Sequence, residues 1–97
     1  MEHKSADRLI AELRAEIDSI DAELVNLIER RLDAACSIGA AKRQAGMEVK
    51  NQSRELQVRA NCRTNCKNRR YADYAEKVMM CVMDCCRSIQ FGEGQDK

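Results

Sequence analysis

The sequence predicts an all-α fold with three helices per chain, one long and two shorter, intertwined with a second copy as a homodimer. Three observations predict it. The 97 residues contain no proline and only four glycines, whereas a β-sandwich or barrel needs turn punctuation every 8–12 residues or so. Aromatic residues make up 3% and there is no tryptophan, while charged residues reach 34% and hydrophobic ones 44%, a mixture that suits amphipathic helices. Apolar side chains then recur in steps of three and four over most of the chain. The length bounds the fold to one domain, residues 1–97, with no room for separate substrate and cofactor domains.

The first helix is expected over about residues 5–45. Ile10, Leu13, Ile17, Ile20, Leu24 and Leu27 form its seam, spaced to face a partner continuously. Ser5 and Asp7 are candidate N-caps, and Gly46 is placed to end it. Such a helix is about 60 Å long, against a radius of gyration of about 13 Å for a compact domain of this size. The second helix, about 51–67, starts at Asn51 or Ser53 with Glu55 in its first turn, and its apolar face is thin. The polar NRRY reads as a connector. The third helix, about 71–91, presents Tyr74, Val78, Val82, Cys85 and Ile89 as a stripe, and the tail 92–97 is expected to be disordered. The two shorter helices cover roughly 25–30 Å each. The uncovered seam of the first helix therefore calls for a second chain.

Charge excludes some functions and locates another. Seventeen Lys and Arg against sixteen Asp and Glu give a net charge of +1, which exerts no overall pull toward nucleic acid or membrane. The opening MEHKSADRLIAELRAEIDSID is interrupted by charge every few residues. It reads as neither signal peptide nor spanning helix, and the expected compartment is the cytoplasm. Arg31, however, breaks the seam of the first helix, next to the small residues Ala34, Ala35 and Ala41. A guanidinium at a seam needs an anion to meet it, and small neighbours leave room for one. Register specification by a seam arginine is the structural alternative. Lys42 lies about three turns on and nearly on the same face, whereas Arg14 is about 25 Å back. One small ligand cannot touch Arg14 and Lys42 of the same chain. Antiparallel pairing of two long helices brings Arg14 of one toward the Arg31 to Lys42 stretch of the other.

The run LRAEIDSIDAELVNLIERRLDAACSIGAAK, then the turn GMEVKNQSRE and the closing CCRSIQ, resembles the all-helical class of chorismate mutases over about Leu9 to Gln90. The landmarks are an LRxxID-x-ID opening, a basic pair, Ile-Gly before a lysine, an Arg-Glu pair after the turn and a final Gln. The resemblance implies an enzyme converting chorismate to prephenate for phenylalanine and tyrosine biosynthesis. It makes Arg14 the arginine given by the partner chain, Arg31 and Lys42 the main cations, Arg54 and Glu55 the Arg-Glu pair, and Gln90 the terminal glutamine. Asn51 stands where the family usually has Asp, and Cys86 where a small polar residue, often Ser, is usual.

The implied chemistry suits these residue types. Chorismate carries two carboxylates, a hydroxyl and an ether oxygen, and its [3,3] rearrangement needs no nucleophile, proton transfer, cofactor or metal. The protein has to hold the reactive conformer and stabilise charge on the ether oxygen. Arginines bind carboxylates by bidentate contact. Lys42 and the Gln90 amide donate to the ether oxygen, and Glu55 accepts from the hydroxyl. His3, the single histidine, reads as a bystander.

Other readings concern the remaining residues. Two cysteine pairs at i, i+4, Cys62 with Cys66 and Cys81 with Cys85, have the donors for a tetrahedral zinc site, against the plainer reading of all six cysteines as thiols in a reducing compartment. Met79, Met80 and Met83 read as core and pocket wall. The basic run Arg59, Arg63, Lys67, Arg69 and Arg70 reads as a solvated helix face rather than a nucleic-acid surface, since no aromatics interleave it. An isochorismate pyruvate lyase on the same scaffold and a non-catalytic helical dimer are the rival functions.

Overall fold

The computed structural model describes residues 2–91, so the tail expected to be disordered at 92–97 lies outside the described residues. Three α-helices and one short 3-10 turn are found among the described residues: α1 Glu2–Ala45, α2 Gln52–Asn65, the turn Arg69–Tyr71 and α3 Ala72–Gln90. Contacts group the chain into two compact units, Met1–Arg30 and Arg31–Lys97, the boundary falling within α1.

The first unit is helical from Glu2, so neither Ser5 nor Asp7 caps α1; both lie inside it. Its seam matches the periodic reading, and it is bare. Leu9, Ile10, Leu13, Ile17, Ile20, Leu24 and Leu27 are each 44–54% exposed.

Among the described residues the buried ones fall in the second unit, Ala35 and Gly39 from α1 and Ala72, Met83 and Cys86 from α3. Gly46 ends α1 as expected. At φ +70° it takes the left-handed conformation that side chains disfavour, and two backbone bonds close the end, Gly46 N–H to Arg43 C=O at 3.2 Å and Met47 N–H to Lys42 C=O at 2.8 Å. That pair of bonds is a Schellman motif. Asn51 caps α2, its side-chain oxygen accepting from the Arg54 N–H at 3.0 Å. α2 ends two residues earlier than expected, because Cys66 turns to extended backbone at ψ 111°. The NRRY connector contains the 3-10 turn, capped by the Asn68 side chain on the Arg70 N–H.

Two sequence expectations are corrected by how α3 packs. The expected stripe is displaced around the helix: of its residues Tyr74, Val78 and Cys85 are exposed and Val82 and Ile89 half-buried, while Ala72, Met83 and Cys86 are buried, with Glu76, Met79 and Gln90 half-buried along the same three-and-four line. This rotation carries Glu76 to α2. There Arg59 Nε meets Glu76 Oε2 at 2.8 Å, and Arg63 Nη1 meets Glu76 Oε1 at 2.7 Å and Asp73 Oδ1 at 2.8 Å. The basic run is thus not simply a solvated face. Arg59 and Arg63 clamp α2 to α3, Arg69 donates to the Arg63 and Cys66 carbonyls, and Arg70 stands 5.5 Å over the Tyr71 ring. Hydrogen bonds from Arg59 and then Arg63 hold the Glu76 carboxyl below its usual pKa, and those to Asp73 and then Glu76 raise that of Arg63. Among the described residues, no helix is long and apolar enough to cross a membrane.

Candidate functional site

A cavity of about 320 Å³ opens in the second unit, within the size range of small-molecule sites. Three parts of the chain line it: the last turns of α1 from Arg31 to Lys42, the turn and first turns of α2 from Val49 to Val58, and the last turns of α3 from Met83 to Gln90. Each part arrives there for a local reason. The Schellman end of α1 reverses the chain just past Lys42, and the Asn51 cap starts α2 beside it. Gly39 lets α3 come close. A Cβ built on Gly39 would stand 2.8 Å from both the Gln90 Cα and its carbonyl oxygen, so any side chain there would push the end of α3 away. Arg43 adds a bond from Nη1 to the Gln90 carbonyl.

Seven of the eight residues expected from the sequence line this one cavity: Arg31, Lys42, Asn51, Arg54, Glu55, Cys86 and Gln90. The eighth, Arg14, belongs to the first unit and is exposed. Arg31 Nη1 donates to Cys86 Sγ at 2.9 Å, which fixes the half-buried guanidinium against the buried thiol. Lys42 Nζ donates to the Val49 carbonyl at 2.8 Å. An ammonium has three donors, so this contact anchors the charge and leaves two for a ligand. Arg54 Nη1 donates to Gln57 Oε1 at 2.6 Å. The Asn51 side-chain oxygen is committed to the helix cap, and Asn51 lines the cavity from that position.

Two further cations that sequence reasoning missed stand in the wall, Lys50 and Arg87. Arg87 donates from Nε and Nη2 to Glu55 Oε2, at 3.0 and 2.6 Å, and from Nη1 to Asp84 Oδ1 at 3.1 Å. These bonds, Glu55 first and Asp84 second, raise its pKa. A signal for Arg87 existed. It precedes Gln90 by three residues, the spacing that puts two helical side chains on one face. Counted over the lining, five cations (Arg31, Lys42, Lys50, Arg54, Arg87) surround a single carboxylate, Glu55. Ala34, Ala35, Ile38, Val49, Val58 and Met83 supply the apolar wall. The arrangement suits a small dianion with an apolar body and a hydroxyl, held by several guanidinium and ammonium groups at once.

Among the described residues, no three His, Cys, Asp or Glu side chains converge to hold a metal ion. Cys66 Sγ instead donates to the Asn68 carbonyl, and Cys81 and Cys85 are exposed. His3 is exposed on α1 and is not among the residues that line the cavity.

Comparison with known proteins adds three findings. The family model described as chorismate mutase type II matches residues 13–91. A 47-residue stretch is 38% identical to the T-protein of Haemophilus influenzae (strain ATCC 51907 / DSM 11121 / KW20 / Rd), covering 48% of this chain and 12% of that protein. The chain therefore spans only a small part of this curated relative's length. No solved structure matches the chain.

Proposed function

Because this chain belongs to the chorismate mutase type II family, we propose that its cavity binds chorismate and rearranges it to prephenate. One observation carries the reading most directly: the 320 Å³ cavity brings five cations around one carboxylate, a charge balance matched to a dicarboxylate with a hydroxyl. In the reaction the ether C–O bond breaks as a new C–C bond forms, and no group of the protein is consumed. Arg31 and Arg54 take the carboxylates and hold the substrate in its chair-like conformer. Lys42 places its ammonium at the ether oxygen, where negative charge develops in the transition state, and the Gln90 amide donates to the same atom. Glu55 accepts from the ring hydroxyl. Asn51 and Cys86 complete the contacts to the polar groups, the thiol being a weaker donor than a hydroxyl.

The same reading makes the active form a homodimer in which Arg14 of a second copy reaches the carboxylate end of the cavity. The bare seam of the first unit supports it, since a row of half-exposed Leu and Ile side chains is stabilised by apolar contact.

Incubation with chorismate tests the activity. Loss of the substrate's diene absorbance with formation of prephenate is the expected result. Pyruvate release from isochorismate, with chorismate left intact, would place the chain with the lyases, and inertness toward both would make it a non-catalytic dimer.

A further inference from the structure

Arg87 enters the cavity wall already engaged by acids of its own chain. Two arms of its guanidinium close on one oxygen of Glu55, 32 residues away in sequence, and the third is held by Asp84 one turn back on α3. Glu55, Arg87 and Met83 also line a second, smaller cavity of about 140 Å³. The pair thus stands in the wall that the two cavities share. Both contacts fall on Oε2, which leaves the other carboxylate oxygen, Oε1, as the acceptor for a ligand.

We propose that Arg87 is a positioning residue: it pins the Glu55 carboxylate so that Oε1 meets the hydroxyl of the bound dicarboxylate, and so gives the site its preference for hydroxyl-bearing substrates. The proposal rests on the mutase reading for the identity of that substrate. Its physical basis is competition among charges. Glu55 is the single carboxylate among the lining residues, facing Arg31, Lys42, Lys50 and Arg54. Unpinned, it is drawn to those cations and competes with the substrate's carboxylates for them. Held by Arg87, it is taken out of that competition and kept in one orientation.

A double-mutant cycle tests this on the full chain with Arg87→Ala, Glu55→Gln and the double variant. Arg87→Ala is expected to lower kcat/KM for chorismate about ten- to a hundredfold, mostly through KM, because a hydroxyl contact is shared by ground and transition states. In the Glu55→Gln background the same change is expected to cost less than twofold. Arg87→Lys is expected to recover part of the loss, since an ammonium still pairs with the carboxylate but lacks the fork. The cycle is repeated as affinity for a non-reacting dicarboxylate analogue with and without the ring hydroxyl, where coupling between Arg87 and Glu55 is expected only with the hydroxyl. An Arg87→Ala loss that persists undiminished in the Glu55→Gln background overturns the proposal, as does a coupling that ignores the hydroxyl or a loss of kcat that tracks a lowered melting temperature. Absence of turnover in the unsubstituted chain removes the mutase reading instead and leaves the affinity cycle to decide the role of Arg87.

Discussion

Lys42 has two tasks in one side chain. Its ammonium holds the Val49 carbonyl across the turn and also lines the cavity. Lys42→Ala is expected to lower turnover of chorismate by at least a hundred- to a thousandfold, the order seen when one donor to a developing oxyanion is removed. It should also cost about 1 kcal/mol of stability from the lost turn contact. Arg31→Ala is expected to match it in activity, and Lys42→Arg to fail as well, because a planar fork does not replace a compact ammonium at one oxygen. Steady-state rates beside thermal melts check all three, and near-parental turnover in either alanine variant would move the reaction elsewhere. At this scale the sequence was informative where a residue broke a pattern, as Arg31 does in an apolar seam, and where the family resemblance named a position, as for Glu55 and Gln90. The spacing of Arg87 to Gln90 marks its face, but not its pairing, because Glu55 is 32 positions away. No local pattern announces an ion pair between two helices.

Among the elements, α2 is the one with least to bury, and none of its residues is buried. Its attachment to α3 depends correspondingly on Arg59 and Arg63 around Glu76. The depressed pKa of Glu76 fixes how this clamp responds to acid. A carboxyl whose folded pKa lies below its unfolded value contributes stability above the unfolded pKa and loses it as pH falls through the folded one. Glu76→Gln is therefore expected to be less stable than the parent at pH 7, with the difference shrinking as the pH falls below the ordinary glutamate range, near 4.5. Urea midpoints of the two proteins from pH 7 to pH 3 measure it, and a gap that stays constant would show that the clamp does not depend on ionised Glu76. Helix identities and most ends were legible, because Gly46 and Asn51 are strong terminators and caps. The face that α3 buries was not. Its Val, Ile, Met, Cys and Tyr residues admit more than one apolar stripe, and the choice is made by where Glu76 and Cys86 find partners on other helices.

For the molecule as a whole, the exposed seam of the first unit and the cavity of the second lead to one prediction about assembly. Each of the seven half-exposed Leu and Ile side chains gains about 1 kcal/mol on full burial, ample in sum to drive association. A dimer is expected in sedimentation at micromolar concentration. If Arg14 acts in the partner's cavity, the variants Arg14→Ala and Lys42→Ala are each nearly inactive alone. Refolded together in equal amounts, they should recover about a quarter of parental activity, because half the dimers are mixed and each mixed dimer holds one intact site of two. Recovery of nothing would show that Arg14 does not act in the partner's cavity.

The cavity's five cations and one carboxylate sit in a chain whose net charge is only +1. Away from the cavity acids outnumber bases and the remaining charges sum to −3, so a dianion in solution meets an attractive field concentrated at the mouth within an otherwise mildly negative surface. Encounter with substrate is thereby steered, and steering of this kind weakens as the Debye length shortens, from about 10 Å at 0.1 M salt to about 3 Å at 1 M. The expected signature is a kcat/KM that falls with added potassium chloride while kcat, which begins from substrate already bound among the same cations, changes little.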